Sequence, residues 1–225
     1  MIGYHFTSET LRDGRPLPEI GHWIEHEGPI VPCESGLHAS EHPFDALQYA
    51  PGPILHLVDL EGDLVGHGSP YDKHIGRRRR TLARLDATDL LWGFARWCAL
   101  SVINKWPAPD VVRRYLETGD ESLRTEAWVA AERTTWHLVG GLGRAAAAAR
   151  AAASGVAEGP VREPGRAAAW ARCTAQTVAS AAWTSVPWEV AEIRSRLRIE
   201  FRRRVDEAFR AAAFRAAATR IMSQH

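Results

Sequence analysis

Cysteine is scarce. Only Cys33, Cys98 and Cys173 occur in 225 residues, and their wide separation excludes a disulfide scaffold and any Cys-x-x-Cys metal pair. That usage fits a reducing compartment, with the cytoplasm as the expected location. Long apolar runs are also missing: charge or glycine breaks each one well short of a bilayer, and Met1-Ile2-Gly3-Tyr4-His5 leads straight into polar sequence. No transmembrane or secretory segment, and no membrane partner, is therefore expected. There is no exact internal repeat; the Arg-Ala-Ala-Ala segments at 166 and 210 reflect biased composition. Gly140-Gly141-Leu142-Gly143 lacks both a preceding strand and a following Lys-Ser/Thr, so it is expected to be a break or close-packing turn and not a phosphate loop. No His-Glu-x-x-His occurs either.

What is present suffices for a folded core, since 45% of the residues are apolar. The net charge of +1 conceals an asymmetry. Residues 1–75 carry twelve Asp or Glu against Arg12, Arg15 and Lys73, together with eight of the ten histidines, so the rest of the chain is at about +10. The two parts could attract each other, or the basic one could meet an acidic partner such as nucleic acid; otherwise the arginines keep an alanine-rich helix soluble.

The expected fold class is α+β: a small mixed or antiparallel-sheet module over residues 1–90, then a predominantly helical Ala/Arg/Trp-rich region over 91–225 with a flexible break near 154–165. Ile2 to Phe6 reads as an opening strand, and the hydroxyls of Thr7 to Thr10 as turn or cap groups. Residues 21–28 could be extended, and 29–33 continue as an irregular, proline-bearing edge. Ser40 is placed to cap a helix starting near His42-Pro43, with Phe44, Leu47 and Ala50 inward until Pro51-Gly52-Pro53. Ile54 to Leu60 is the strongest strand, and residues 64–67 are expected to pair back on it. Helical periodicity begins near Asp86, giving helices over 89–103, from Pro107 to about 118, and over 121–138 with Leu123, Trp128 and Trp136 as anchors. Two later helices occupy 166–185 and 188–222. In the last, Ile193, Leu197, Phe201, Val205, Phe209 and Phe214 form a stripe that must meet the Trp170/Trp183 helix or a second copy in a homodimer. Trp92, Trp97, Trp106, Trp128, Trp136, Trp170, Trp183 and Trp188 are expected to pack between helices, the alternative being base stacking or a ligand cleft.

The stretch from Glu27 through Pro29, Cys33, Gly36-Leu37-His38-Ala39-Ser40, Pro43 and Leu47 to Tyr49 resembles an uncharacterised domain widespread in phage and bacterial proteins, over about residues 3–90. That resemblance implies a phage-associated protein and transfers no activity. Tyr4-His5-Phe6-Thr7, with Gly36 to Ser40 and Ala46 to Ala50, is similar to the opening segments of ADP-ribosyltransferase-like folds. This likeness implies NAD as cofactor, with His5, Thr7 and Ser40 orienting ribose, Tyr49 bordering nicotinamide and His38 also at the cofactor, where many relatives carry an aromatic. Such enzymes complete the site with a late glutamate; no late strand announces one here, and Glu61 and Glu34 are the carboxylates available. On the residues alone, the favoured roles are a strand or turn histidine for His5, caps for Thr7 and Ser40, and a core aromatic for Tyr49.

Cys33, His38 and His42, with His22 and His26 as an i, i+4 pair if helical, could hold Zn²⁺; the alternative is a buried cysteine and polar histidines. Asp59, Glu61 and Asp63 alternate at a strand end and could bind Mg²⁺ or divide acid and base roles, or form a solvated edge. Arg77-Arg78-Arg79-Arg80, extended by Arg84, and Arg202-Arg203-Arg204 could engage phosphates. Alternatively, the first run is a hinge or docks on the acidic module. Together these features favour a ligand- or macromolecule-binding accessory protein, with an NAD-dependent ADP-ribosyltransferase as the alternative.

Overall fold

A near-continuous apolar run makes Ile54–Glu61 (β4) the inner strand of the first sheet, because such a strand needs cover on both faces and Leu55, Val58 and Leu60 have it. In the computed structural model of the chain, which describes residues 1–32, 34–68, 71–134, 141–157, 164–182 and 187–222, β4 lies between Ile2–Thr7 (β1) and Arg78–Asp86 (β7). Trp23–Glu25 (β2) closes the sheet in the order β1-β4-β7-β2, antiparallel throughout. Leu37–Ala39 (β3), Tyr71–Gly76 (β6) and Val65–Gly68 (β5) form a second antiparallel sheet in that order. The fold is thus an N-terminal β module followed by a largely helical region, as the sequence implies. Residues 64–67, however, do not pair with β4: β5 takes β6, a strand the apolar pattern does not announce.

The two sheets meet at Tyr4 and Ser40, whose backbones exchange hydrogen bonds of 2.7 and 2.9 Å. Gly3 makes the approach possible, since a Cβ there would sit 2.8 Å from the Ser40 carbonyl oxygen. Just beyond lies Pro43–Leu47 (α1). Its first turn is capped by His42, whose Nδ1 accepts the Phe44 N–H at 3.1 Å, so the expected Ser40 cap is corrected: Ser40 is already committed to β1. Thr7 is no cap either, its hydroxyl being buried against His56.

Gly36, at φ +109°, turns the chain into β3, and a methyl group there would overlap the Ile75 side chain. Gly36→Ala combines a left-handed alanine with overpacking, so a loss of about 2–4 kcal/mol is expected in urea unfolding. A loss below half a kilocalorie would show that this turn does not set the packing of β3 on β6.

The chain divides into two compact units, residues 1–90 with those from Glu200 onward, and residues 91–199. The first has its core at Phe6, Leu47, Leu55, Val58, Leu60 and Ile75, joined by Phe201 and Val205 of the helix Pro187–Met222 (α7). Phe201 stacks edge-on against Phe44, 6.1 Å between centroids. The stripe foreseen on this helix therefore finds its partner in this unit at Phe201, while Phe214 stays 76% exposed.

The second unit contains Thr88–Ser101 (α2) from Leu91 on, Asp110–Thr118 (α3), Arg124–Arg133 (α4), Gly141–Ala157 (α5) and Pro164–Ala182 (α6). The paired helices α5 and α6 bury alanines, Ala152, Ala153 and Ala157 on one and Ala167, Ala168, Ala171 and Ala175 on the other. Small side chains let the helices approach closely, which substitutes for the bulky core α5 lacks. This corrects the expected break at 154: α5 runs on to Ala157, with Ser154 donating to Glu132 (2.6 Å) and Gly155 making room for the Trp170 ring. The glycines at 141–143 likewise lie inside a helix. Trp128 is a surface residue and not an anchor, while Trp92 and Trp106 are buried. The expectations on Cys33, Trp136, Trp183 and the linker at 158–163 fall outside the described residues. No helix among them is long and apolar enough to cross a membrane.

Candidate functional site

Side chains two apart on a strand share a face, and on the first sheet that rule gathers an unusual set. His5 and Thr7 of β1, His56 and Val58 of β4, Arg79 and Thr81 of β7, and Ile24 of β2 line one cleft. Leu11, Pro18 and His22, from the connector between β1 and β2, complete it. The connector is pinned to β7 by the Gly21 N–H, which donates to the Thr81 carbonyl (2.8 Å). Arg84 helps by donating to the Pro18 carbonyl (3.5 Å). The cleft holds about 280 Å³, counting space open to solvent at its mouth.

β7 presents its arginines alternately. Arg78 and Arg80 point away from the cleft, clasp the Trp23 ring at 4.7 and 4.6 Å, and pair with the residues opposite them on β4, Glu61 (2.6 Å) and Asp59 (3.0 Å). Arg77 pairs with Asp63 at 2.7 Å. The carboxylate series at 59, 61 and 63 and the arginine run, left unassigned by sequence, are thus largely each other's partners. Arg79 is the exception. It is only 7% exposed, it donates to the His38 carbonyl, and no carboxylate pairs with it among the described residues.

The groups around Arg79 do not neutralise it. His56 Nε2 lies 2.8 Å from the Thr7 hydroxyl and its Nδ1 3.3 Å from that of Thr81, so both ring nitrogens are engaged. The His5 ring lies 6.2 Å from that of His56, directly across the β1–β4 register, and makes no hydrogen bond among the described residues. Burial, then Arg79, His56 and His38, push the His5 pKa well below the usual imidazole value. Burial and the nearby Arg79 and Arg84 bring His56 down to about 3, and burial with Lys73, Arg79 and His67 brings His38 down to about 4. Burial also lowers Arg79 itself to about 10. At neutral pH the His5 and His56 rings in the cleft are therefore neutral, beside one cation, Arg79, that no carboxylate pairs with among the described residues.

The residues expected to hold NAD divide. His5 and Thr7 line the cleft, and His38 adjoins it through its carbonyl; its Nε2 is buried without a hydrogen bond. Ser40 is buried, tied by its backbone to Tyr4 beside His5, and is not among the cleft's lining residues. Tyr49 is 44% exposed, donates to Asp72 (2.8 Å) and carries Lys73 over its ring at 4.0 Å. Glu61 is held by Arg78. His22 and His26 flank an extended segment and not a helical turn, which removes the i, i+4 geometry assumed for zinc. His22 sits at the cleft mouth and His26 bonds the Pro29 carbonyl. No cluster of metal-ligating residues occurs among the described residues. Arg202, Arg203 and Arg204 pair along their own helix with Asp206, Glu200 and Glu207. His56, Thr81 and Ile24 are site residues that sequence reading missed.

Residues 1–92 match the model of a family described as a domain of unknown function (DUF7666), which covers both sheets and every residue lining the cleft. No curated protein and no solved structure matches the chain.

Proposed function

We propose that residues 1–90 form a ligand-binding module whose site is the Arg79 cleft, and that the ligand presents an anionic group to it. One observation carries this reading: of four consecutive arginines, three have carboxylate partners and the fourth, the one buried, has none among the described residues. A buried cation without a counter-ion costs several kcal/mol, and an anion entering from solvent supplies what the chain omits. Its guanidinium offers five N–H donors, of which one is used by His38.

Size limits what the cleft takes. Its enclosed part has room for about one water. Entry of an oxyanion requires His22, whose side chain is 70% exposed and lies 3.4 Å from Glu19, to swing aside. The terminal group of a ligand then reaches Arg79 while its body stays outside.

The test is thermal unfolding of the full chain with rising sulfate, phosphate or acetate against chloride at matched ionic strength. A ligand at a hundred times its Kd is expected to stabilise by about 2.7 kcal/mol, and Arg79→Met to abolish that response. No anion-specific stabilisation, or one that persists in Arg79→Met, sinks the reading.

A second reading, transfer of ADP-ribose from NAD to a macromolecule, has in its favour the Tyr4–Ser40 pairing, which sets the opening strand beside the segment entering α1, although Ser40 and Tyr49 do not line the cleft. It needs the Lys73 and Tyr49 side chains to part and the cleft to widen towards the several hundred Å³ typical of cofactor sites. NAD cleavage by the full chain, lost in His5→Ala, is its expected result; no turnover with NAD dismisses it.

A further inference from the structure

Resting on that reading of the cleft, we propose that the group it takes is a tetrahedral dianion, sulfate- or phosphate-like, and that His5 becomes the second cation of the site by taking up a proton as the anion enters.

The donors converge from two strands, β1 and β7, on either side of His56 of β4. Arg79 comes from β7 and His5 from β1, and the hydroxyls of Thr7 and Thr81 flank His56 of β4. A neutral imidazole donates at one nitrogen and accepts at the other, so of those two threonines one receives the His56 N–H and keeps its own O–H for a ligand. The other donates its hydroxyl proton to the ring and favours the neutral form of His56. His5 has no such commitment. A guanidinium fork, one hydroxyl and one imidazole, each from a different direction, match three or four oxygens around a tetrahedral centre better than the two coplanar oxygens of a carboxylate.

Charge gives the same answer. The groups that bear on His5 are Arg79 from β7, His56 from β4 and His38 from β3, with His22 at the mouth, and among the described residues no carboxylate lines the cleft. Without a ligand, burial first and then the positive charge of Arg79 hold His5 neutral. Two negative charges outweigh that one, reverse the sign of the field at His5 and draw a proton onto it; the filled site then carries two positive charges against two negative. A carboxylate is balanced by Arg79 alone and leaves His5 as it was. Binding of the dianion moves one proton from solvent to an imidazole nitrogen and makes or breaks no other covalent bond.

Sulfate is the deciding probe, because it does not titrate near neutrality and any proton taken up belongs to the protein. Calorimetric titration of the full chain at about pH 6, in two buffers of different ionisation enthalpy, is expected to show uptake of about one proton per sulfate. Acetate is expected to bind at least about tenfold more weakly with none, the loss of one charge-assisted contact. His5→Gln is expected to keep sulfate binding, about tenfold weaker, and to lose the proton uptake. In the unaltered chain, the His5 ring resonance is expected to move to its protonated position on adding sulfate, a readout that needs no variant. Sulfate binding without proton uptake, or uptake unchanged in His5→Gln, overturns this inference and leaves the anion-binding cleft standing. No binding of either anion, or binding indifferent to Arg79→Met, overturns the cleft reading itself.

Discussion

Between pH 6.5 and 4 the chain is expected to lose stability steeply, before its carboxylate pairs begin to fail. The cause is the set of imidazoles kept neutral by the fold. An unfolded histidine takes its proton near pH 6.5. Folded His56 waits until about pH 3 and His38 until about pH 4, with His5 displaced in the same direction. Throughout that interval the unfolded state binds more protons, so stability is complete above pH 6.5 and declines as the pH falls towards the folded values. Each such histidine contributes about 1.4 kcal/mol per pH unit. His56 alone accounts for roughly 3 kcal/mol by pH 4, a large part of the stability of an ordinary domain. The paired Glu200, whose pKa its Arg203 hydrogen bond lowers, adds its loss only below the usual carboxylate range. Urea midpoints at pH 7, 6 and 5 check the slope, and His56→Gln is expected to reduce it by about 1.4 kcal/mol per unit. A flat midpoint from pH 7 to 5 would mean that these rings titrate normally and that the cleft is wet and open. Sulfate is expected to protect against the acid loss, because it stabilises the protonated His5 that the empty cleft disfavours.

The elements that sequence reading recovers are those with bulky apolar residues at the period of the structure they form. β1 and β4 have them, and so do α2, α3 and α7. β7 does not, because the face it turns into the fold carries Arg79 and Thr81 where a half-buried strand ordinarily carries valine or isoleucine. A strand that reverses the usual polarity reads as a solvated basic run, and β6 disappears with it. The same reversal hides the site. His5 and Thr7 stand out by resemblance, but nothing local distinguishes Arg79 from the identical residues on either side of it. A longer-range signal does exist. Carboxylates at Asp59, Glu61 and Asp63 recur at a spacing of two, whereas the arginines are consecutive. If the two runs pair as antiparallel strands, alternate arginines meet carboxylates across the ladder and the one between them must point the other way. Joining the two runs, each ambiguous alone, sets Arg77 and Arg79 apart from the cross-strand pairs; Arg77, just before the strand, reaches Asp63 at the turn, and Arg79 is left without a counter-charge among the described residues.

Phe201 and Phe214 belong to one apolar stripe on one helix, yet their replacement by alanine is expected to differ about tenfold in cost. Phe201 is wholly buried against Phe44, with Val205 one turn on also buried, and the surroundings of a β module cannot collapse fully into the void. Phe201→Ala is therefore expected to cost about 3–5 kcal/mol. Phe214→Ala removes a ring that already faces water, so its cost is expected within about 0.5 kcal/mol. Urea unfolding of the two variants side by side decides the point, and equal effects would remove α7 from the core of the first unit. The consequence reaches the site. Arg202 lies over the Tyr4 ring at 5.2 Å, and Asp206 accepts from the Tyr4 hydroxyl, whose pKa burial raises. Tyr4 faces this helix on one side of β1, while its neighbour His5 faces the cleft on the other. Weakening the helix loosens the strand that carries His5, so Phe201→Ala is expected to lower sulfate affinity as well as stability, and Phe214→Ala to change neither.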